Sequence, residues 1–268
     1  MPETLYGLDV SEFRHPADRA AQEAVEKVVL VNKLGQALED FENLYQDRIK
    51  FLGDNVRLTE RNAPHMIGLL EQAKEALDYQ GDMELFVGRR YSFRIEVVGD
   101  RNPTVLLPDA AIRQLPDPYL LFLLGQAVTM VKGRVLKVIH LADGFGSFAE
   151  MVPLAGKVLQ LPLGIYLRKM QLTIDRGGLL ACQDYDTAMR YLTLLAGIPL
   201  KDVASVDLDA RMEQIHFSDT QEKDLVESWG HVGGTVFNHR RAWSNERFVE
   251  MYNWYASGEY GKIIQAHT

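Results

Sequence analysis

The segment from Tyr119 to Val131 is the most apolar in the chain, and it constrains everything around it. Asp117-Pro118 opens it as a helix start, with proline in the first turn. The helix is expected to run to about His140. Lys132 and Arg134 break the apolar run, so nothing here reaches the ~18 residues that a bilayer crossing needs. Leu123, Leu124, Ala127, Val128 and Val131 must therefore be buried by other parts of the same chain, with Gln126 and Met130 among them. A chain of 268 residues can supply that cover.

The cover reads as mostly helical. Pro16 suits a first turn, and Ala20, Ala21, Ala24, Val25 and Val28 recur at helical spacing, predicting a helix over 16–30. Leu34, Leu38, Phe41, Leu44, Tyr45 and Ile49 predict another over 34–52, and Pro64 opens a third through Ile67, Leu70, Ala73 and Leu77. The texture then changes. Glu84 to Val87, the alternating Tyr91 to Val98, and Thr104 to Leu107 predict a small sheet of three or so strands. A short helix follows Pro108-Asp109. Residues 148–170 predict a second apolar helix, interrupted near Pro162, with 169–182 continuing it or starting afresh. Further helices are expected over 186–196, 205–217, 219–229 and 246–256, with loops at Gly144 to Gly146 and at Gly233-Gly234. The expected class is α+β, mostly α, as one domain over 1–268: N-terminal helices at 1–80, a sheet with two central helices at 81–200, and a helical region at 201–268.

Charge narrows the function classes. The net charge is −8, and a nucleic-acid or anionic-membrane surface needs clustered Lys and Arg instead. The single cysteine, Cys182, excludes an internal disulfide and a Cys-rich metal site. Met1-Pro2-Glu3-Thr4 lacks a signal-peptide pattern, so the expected location is cytoplasmic.

Read residue by residue, the chemistry is sparse. Gln126 and Met130 are expected in the core, the amide hydrogen-bonded inside. Asp175-Arg176 is expected to lock neighbouring segments. Cys182 has no Cys-His signature and is expected to be a buried thiol. Glu213-x-x-His216 and His140-x-x-Asp143 have ligand spacing, but a di-metal bundle needs two Glu-x-x-His copies, so both are expected on helix surfaces. None of the glycine pairs matches a phosphate loop.

A resemblance adds to this reading. Leu8-Asp9-Val10-Ser11-Glu12-Phe13-Arg14-His15-Pro16-Ala17-Asp18-Arg19, the run from Pro103 to Met130, and Gln171-Leu172-Thr173-Ile174-Asp175-Arg176-Gly177-Gly178 resemble the soluble bacterial branch of the HtpX-like zinc metallopeptidases. The similarity implies a gluzincin-like scaffold, with a small sheet packed on an active-site-type helix. Gly125 stands where that family has the glycine before its H-E-x-x-H motif. In that motif, histidines one turn apart hold zinc and the glutamate moves a proton. Here the ligand positions read Gln126 and Met130, and the general-base position reads Ala127. The third ligand, a glutamate in the family's E-L-T-A-D-R-x-G stretch, is Gln171; Asp175 and Arg176 keep the supporting frame. Arg94-Ile95, followed by Glu96, fall where the family has an Asn-Ala pair beside the substrate. The family's His-Pro slot reads Arg241-Ala242, with His239 nearby, ahead of a helix fitted by Arg247, Glu250 and Trp254.

The resemblance thus implies a pseudopeptidase with no zinc and no catalytic residue. Gln126 and Gln171 are expected to face one another in the vacated site. The expected role is to bind a peptide or protein along the strand near Tyr91 to Val98, with Arg94 favouring an acidic partner. A regulatory or assembly role, as an oligomer or beside an active paralogue, is the neighbouring expectation. The alternative is an active metalloendopeptidase using non-standard ligands such as His140, His239 or Asp175.

Overall fold

The computed structural model describes residues 2–26, 53–99, 102–136, 139, 153–215 and 244–268. The expected helices at 34–52 and 219–229, both loop readings, and His140, His216, His239 and Arg241 lie outside the described residues.

Two short helices begin the chain, α1 (Val10–Phe13) and α2 (Pro16–Glu26). Asp9 and Glu12 form a reciprocal cap on α1: Asp9 Oδ1 accepts from the Ser11 amide at 2.8 Å, and Glu12 Oε1 accepts from the Asp9 amide at 2.8 Å. Next come β1 (Val56–Leu58), α3 (Pro64–Ala76), β2 (Glu84–Gly88), β3 (Glu96–Val98), β4 (Thr104–Pro108) and α4 (Asp109–Gln114). The central helix α5 (Asp117–Lys132) leads to α6 (Pro153–Cys182), α7 (Tyr185–Leu195) and α8 (Leu200–Val203). Residues 208–215 are helical, and α9 (Ser244–Ala256) and α10 (Glu259–His267) complete the order.

The mostly helical α+β class is what the structure has. Its sheet holds four strands in the order β1-β2-β4-β3. β2 and β4 run parallel, and β1 and β3 pair antiparallel with their neighbours. Leu85, Val105 and Val97 stand in one register row and belong, with Leu107, to the core that surrounds α5. Every residue from Leu120 to Thr129 is buried, as an all-apolar helix requires.

Three expectations are corrected. Helix α5 stops at Lys132, well short of His140, because Gly133 follows and Arg134 takes a left-handed φ of 54°. Helix α6 runs as 30 continuous residues through Pro162 instead of breaking there. The alternating stretch from Tyr91 forms a strand only over Glu96–Val98, so Arg94 and Ile95 precede the strand and Tyr91 is 97% exposed. Strand β1 and helix α10 were not expected. The first is an edge strand of only three residues, too short to carry a periodic signal, and the second starts from Gly258 at a left-handed φ of 78°.

Candidate functional site

Helices α5 and α6 cross at a point where side chains leave almost no room. A Cβ on Gly177 would lie 1.8 Å from Thr129 Oγ1, and one on Gly125 would lie 2.3 Å from the Ala181 Cβ. A Cβ on Gly178 would meet the Phe122 ring at 2.9 Å and Gln126 Cγ at 3.0 Å. The glycines let the two backbones approach, and the approach brings position 126 of one helix against position 175 of the other.

Asp175 is the centre of what results. It is 1% exposed, and Arg247 from α9 is 3% exposed beside it. Arg247 grips the carboxylate with both arms: Nε donates to Oδ2 at 2.7 Å and Nη2 to Oδ1 at 2.7 Å. Gln126 Nε2 donates to Oδ1 at 2.6 Å, and Gln171 Nε2 reaches the same oxygen at 3.4 Å. Burial works against the Arg247 charge, yet the charge and hydrogen bonds of Asp175 outweigh it and hold the guanidinium above its ordinary range. Both glutamines thus converge on one carboxylate, where mutual pairing was expected.

Asp175 does not pair with Arg176. Neighbours in sequence point about 100° apart on a helix. Arg176 turns the other way, donating to the Phe13 carbonyl at 3.2 Å and lying 4.9 Å over the Trp254 ring. Burial lowers its pKa to about 10.

The remaining positions are apolar or silent. Ala127 is fully buried, and Met130 is partly buried against the core. Tyr191 packs against Phe122 with ring centroids 5.0 Å apart, and its hydroxyl donates to the Phe93 carbonyl at 2.8 Å. That bond anchors the segment carrying Arg94 and Ile95 to α7. Burial pushes the Tyr191 hydroxyl well above the usual phenol range. Cys182 is buried, with its thiol pushed up to about 12, so it stays protonated as the sequence suggested. Glu213 is exposed on the helical segment 208–215. Among the described residues, no three or more His, Cys, Asp and Glu side chains come together in a ligating group. Nor, among the described residues, is any helix long and apolar enough to cross a membrane.

Behind the site, the two stretches Leu8–Arg19 and Gln171–Gly178 lie in contact. Thr173 Oγ1 donates to Asp18 Oδ2 at 2.6 Å and accepts from the His15 amide at 3.0 Å. The Ala17 amide donates to His15 Nδ1 at 3.1 Å, so the ring proton sits on Nε2, which faces Glu250 Oε2 at 2.9 Å. The His15 hydrogen bond, working against burial, holds Glu250 below the usual carboxylate range. Burial raises Asp18. Chemically, the cluster offers a carboxylate already neutralised by a guanidinium and hydrogen-bonded by amides; it positions α5, α6 and α9, and no described side chain at its centre is free to act as a base.

Comparison with known proteins gives a distant relationship. The chain is 25% identical over 214 residues to the plastoglobule-localized metallopeptidase 48, chloroplastic, of Arabidopsis thaliana. The match covers 77% of this chain and 62% of that protein, so the chain spans less than two thirds of its relative's length. No family model and no solved structure matches. The chain is metallopeptidase-like at that level.

Proposed function

We propose that this chain is a non-hydrolytic, HtpX-like pseudopeptidase that binds a peptide or protein segment, in a regulatory or assembly role. The observation that carries the reading is the fourfold engagement of Asp175 by Arg247, Gln126 and Gln171. Two of those donors stand at positions where the resemblance places zinc ligands. A zinc ion needs deprotonated, electron-rich donors in tetrahedral reach. Here an amide N–H at position 126 is turned toward the carboxylate, position 130 offers a thioether, and position 171 offers a second amide. A guanidinium already supplies the positive charge beside Asp175. This donor set does not fit zinc, and Ala127 has no group with which to move a proton.

Binding needs no metal. β3 is an outer strand of the sheet, paired on one side with β4. An extended segment adds to such an edge through main-chain hydrogen bonds. Arg94, just before the strand, favours a carboxylate-bearing segment.

Elemental analysis of the purified chain, with a casein digest run alongside, tests the reading. The expected result is less than a tenth of a zinc ion per chain and no cleavage above a buffer blank. Stoichiometric zinc together with chelator-sensitive cleavage would overturn it in favour of an active metalloendopeptidase with other ligands.

A further inference from the structure

The segment from Leu5 to Phe13 is a strap that ties four helices together. The Leu5 amide donates to the Ala76 carbonyl at 3.1 Å, at the end of α3. The Leu8 carbonyl accepts from Lys132 Nζ at the end of α5, which also reaches the Leu77 carbonyl at 2.5 Å. The Phe13 carbonyl takes Arg176 of α6, and the Tyr6 amide donates to the His267 carbonyl of α10 at 3.0 Å. At this last crossing the His267 ring is held at both nitrogens. Nδ1 lies 2.7 Å from the Tyr6 carbonyl oxygen and Nε2 lies 2.9 Å from Glu12 Oε2.

A carbonyl and a carboxylate only accept, and a neutral imidazole has only one N–H. Both contacts are hydrogen bonds only when the ring carries both protons. We infer that His267 is a pH-sensitive pin: its imidazolium fastens α10 to the strap through Tyr6 and Glu12, and loss of the ring proton opens one side of the crossing.

The surroundings fit this assignment. Glu12 divides its carboxylate, with Oε1 holding the α1 cap and Oε2 holding the ring. The charges that act on the ring are Glu12, which favours the imidazolium, and Lys132, which opposes it; Asp9 acts on Glu12. The Tyr6 carbonyl is the largest influence and raises the His267 pKa. The backbone bond from Asp9 and the partner His267 hold Glu12 low. A raised histidine stabilises the fold fully below its unfolded value of about 6.5, and this is lost as the pH rises through the folded value. A lowered glutamate stabilises above its unfolded value of 4.5, and this is lost as the pH falls through the folded value. The pin is therefore fully set between these two ordinary values, and on the alkaline side it opens as the ring loses its proton.

Long-range nitrogen–proton spectra of the ¹⁵N-labelled full chain test this directly, with His267 assigned by its loss in His267→Gln. The expected result is two protonated ring nitrogens at pH 6 and a titration midpoint above that of a free histidine. Glu12→Gln, which leaves the ring in place, should move the midpoint back down. A double-mutant cycle of the two substitutions should show a coupling worth about 2- to 5-fold in the unfolding constant at pH 6, and a smaller one at pH 9.5, where the ring is neutral. A ring with one unprotonated nitrogen at pH 6, or a coupling of equal size at both pH values, would overturn the pin. Because the wild-type proton count needs only the His267 assignment, the test holds even if Glu12→Gln fails to fold.

Discussion

At the scale of single residues, the organising fact is that Asp175 is buried against its counter-ion, Arg247. A buried ion pair contributes little net stability, but removing one member strands the other. Arg247→Met should therefore cost about 3–5 kcal/mol, read as a lower urea midpoint at unchanged slope. Adding Asp175→Asn should recover part of that loss, because the stranded charge is gone. A cost below about 1 kcal/mol for Arg247→Met would mean that the pair is solvated and the closed cluster does not exist. Much of this was legible in advance. Gln126, Gln171, Asp175 and Arg247 could each be singled out from the chain. Who pairs with whom could not, because Arg247 lies on a different helix and only the tertiary fold brings it to Asp175. Asp175 and Arg176 were expected to lock neighbouring segments, and each does so, Asp175 to α9 and Arg176 to the Phe13 carbonyl. His267 gave no signal at all, whereas the spacing of Asp9 and Glu12 is a recognisable cap.

At the scale of elements, the α5–α6 crossing decides which glycines matter. Gly68 lies inside α3, and a methyl group added there would have nothing within 4 Å, so Gly68→Ala should stabilise by about 0.5–1 kcal/mol through helix propensity alone. Gly177→Ala gains the same propensity but drives a methyl into Thr129, where Oγ1 is 1.8 Å and Cβ 2.7 Å away. Thr129 is itself bonded to the Gly125 carbonyl at 2.8 Å, which limits its freedom to move. Overpacking of about 1–3 kcal/mol should win, leaving Gly177→Ala less stable than the parent. Paired thermal melts would show shifts of opposite sign; the same sign for both would mean that the crossing is loose. The sequence made the buried helix plain, because ten consecutive buried positions leave an unmistakable apolar run. It hid the ends. Gly133 and the left-handed Arg134 end α5, while Pro162 fails to end α6, and local composition suggested the reverse in both cases.

At the scale of the whole molecule, the question raised by the proposed pseudopeptidase role is whether the scaffold can hold zinc once ligating side chains are put in place. Positions 126 and 130 lie one turn apart on α5, and position 171 on α6 shares the Asp175 acceptor with position 126, so positions 126 and 171 meet at that carboxylate. The N-terminal strap, the Thr173 contacts with His15 and Asp18, and the glycine crossing all hold α5 against α6 without drawing on those three side chains. Substituting them should therefore leave the frame standing. The quadruple variant Gln126→His, Ala127→Glu, Met130→His, Gln171→Glu replaces two amides and a thioether with imidazole and carboxylate donors, and Asp175 is in place to accept the outer N–H of the imidazole at position 126. Zinc that binds only the folded state stabilises it by about 2.7 kcal/mol at a hundred times its dissociation constant. The variant's melting temperature should rise with added zinc and fall back with chelator, while the parent chain's should move with neither. A parent chain that gains as much stability from zinc as the variant would place a working metal site elsewhere in the fold and remove the basis for reading this cluster as its replacement.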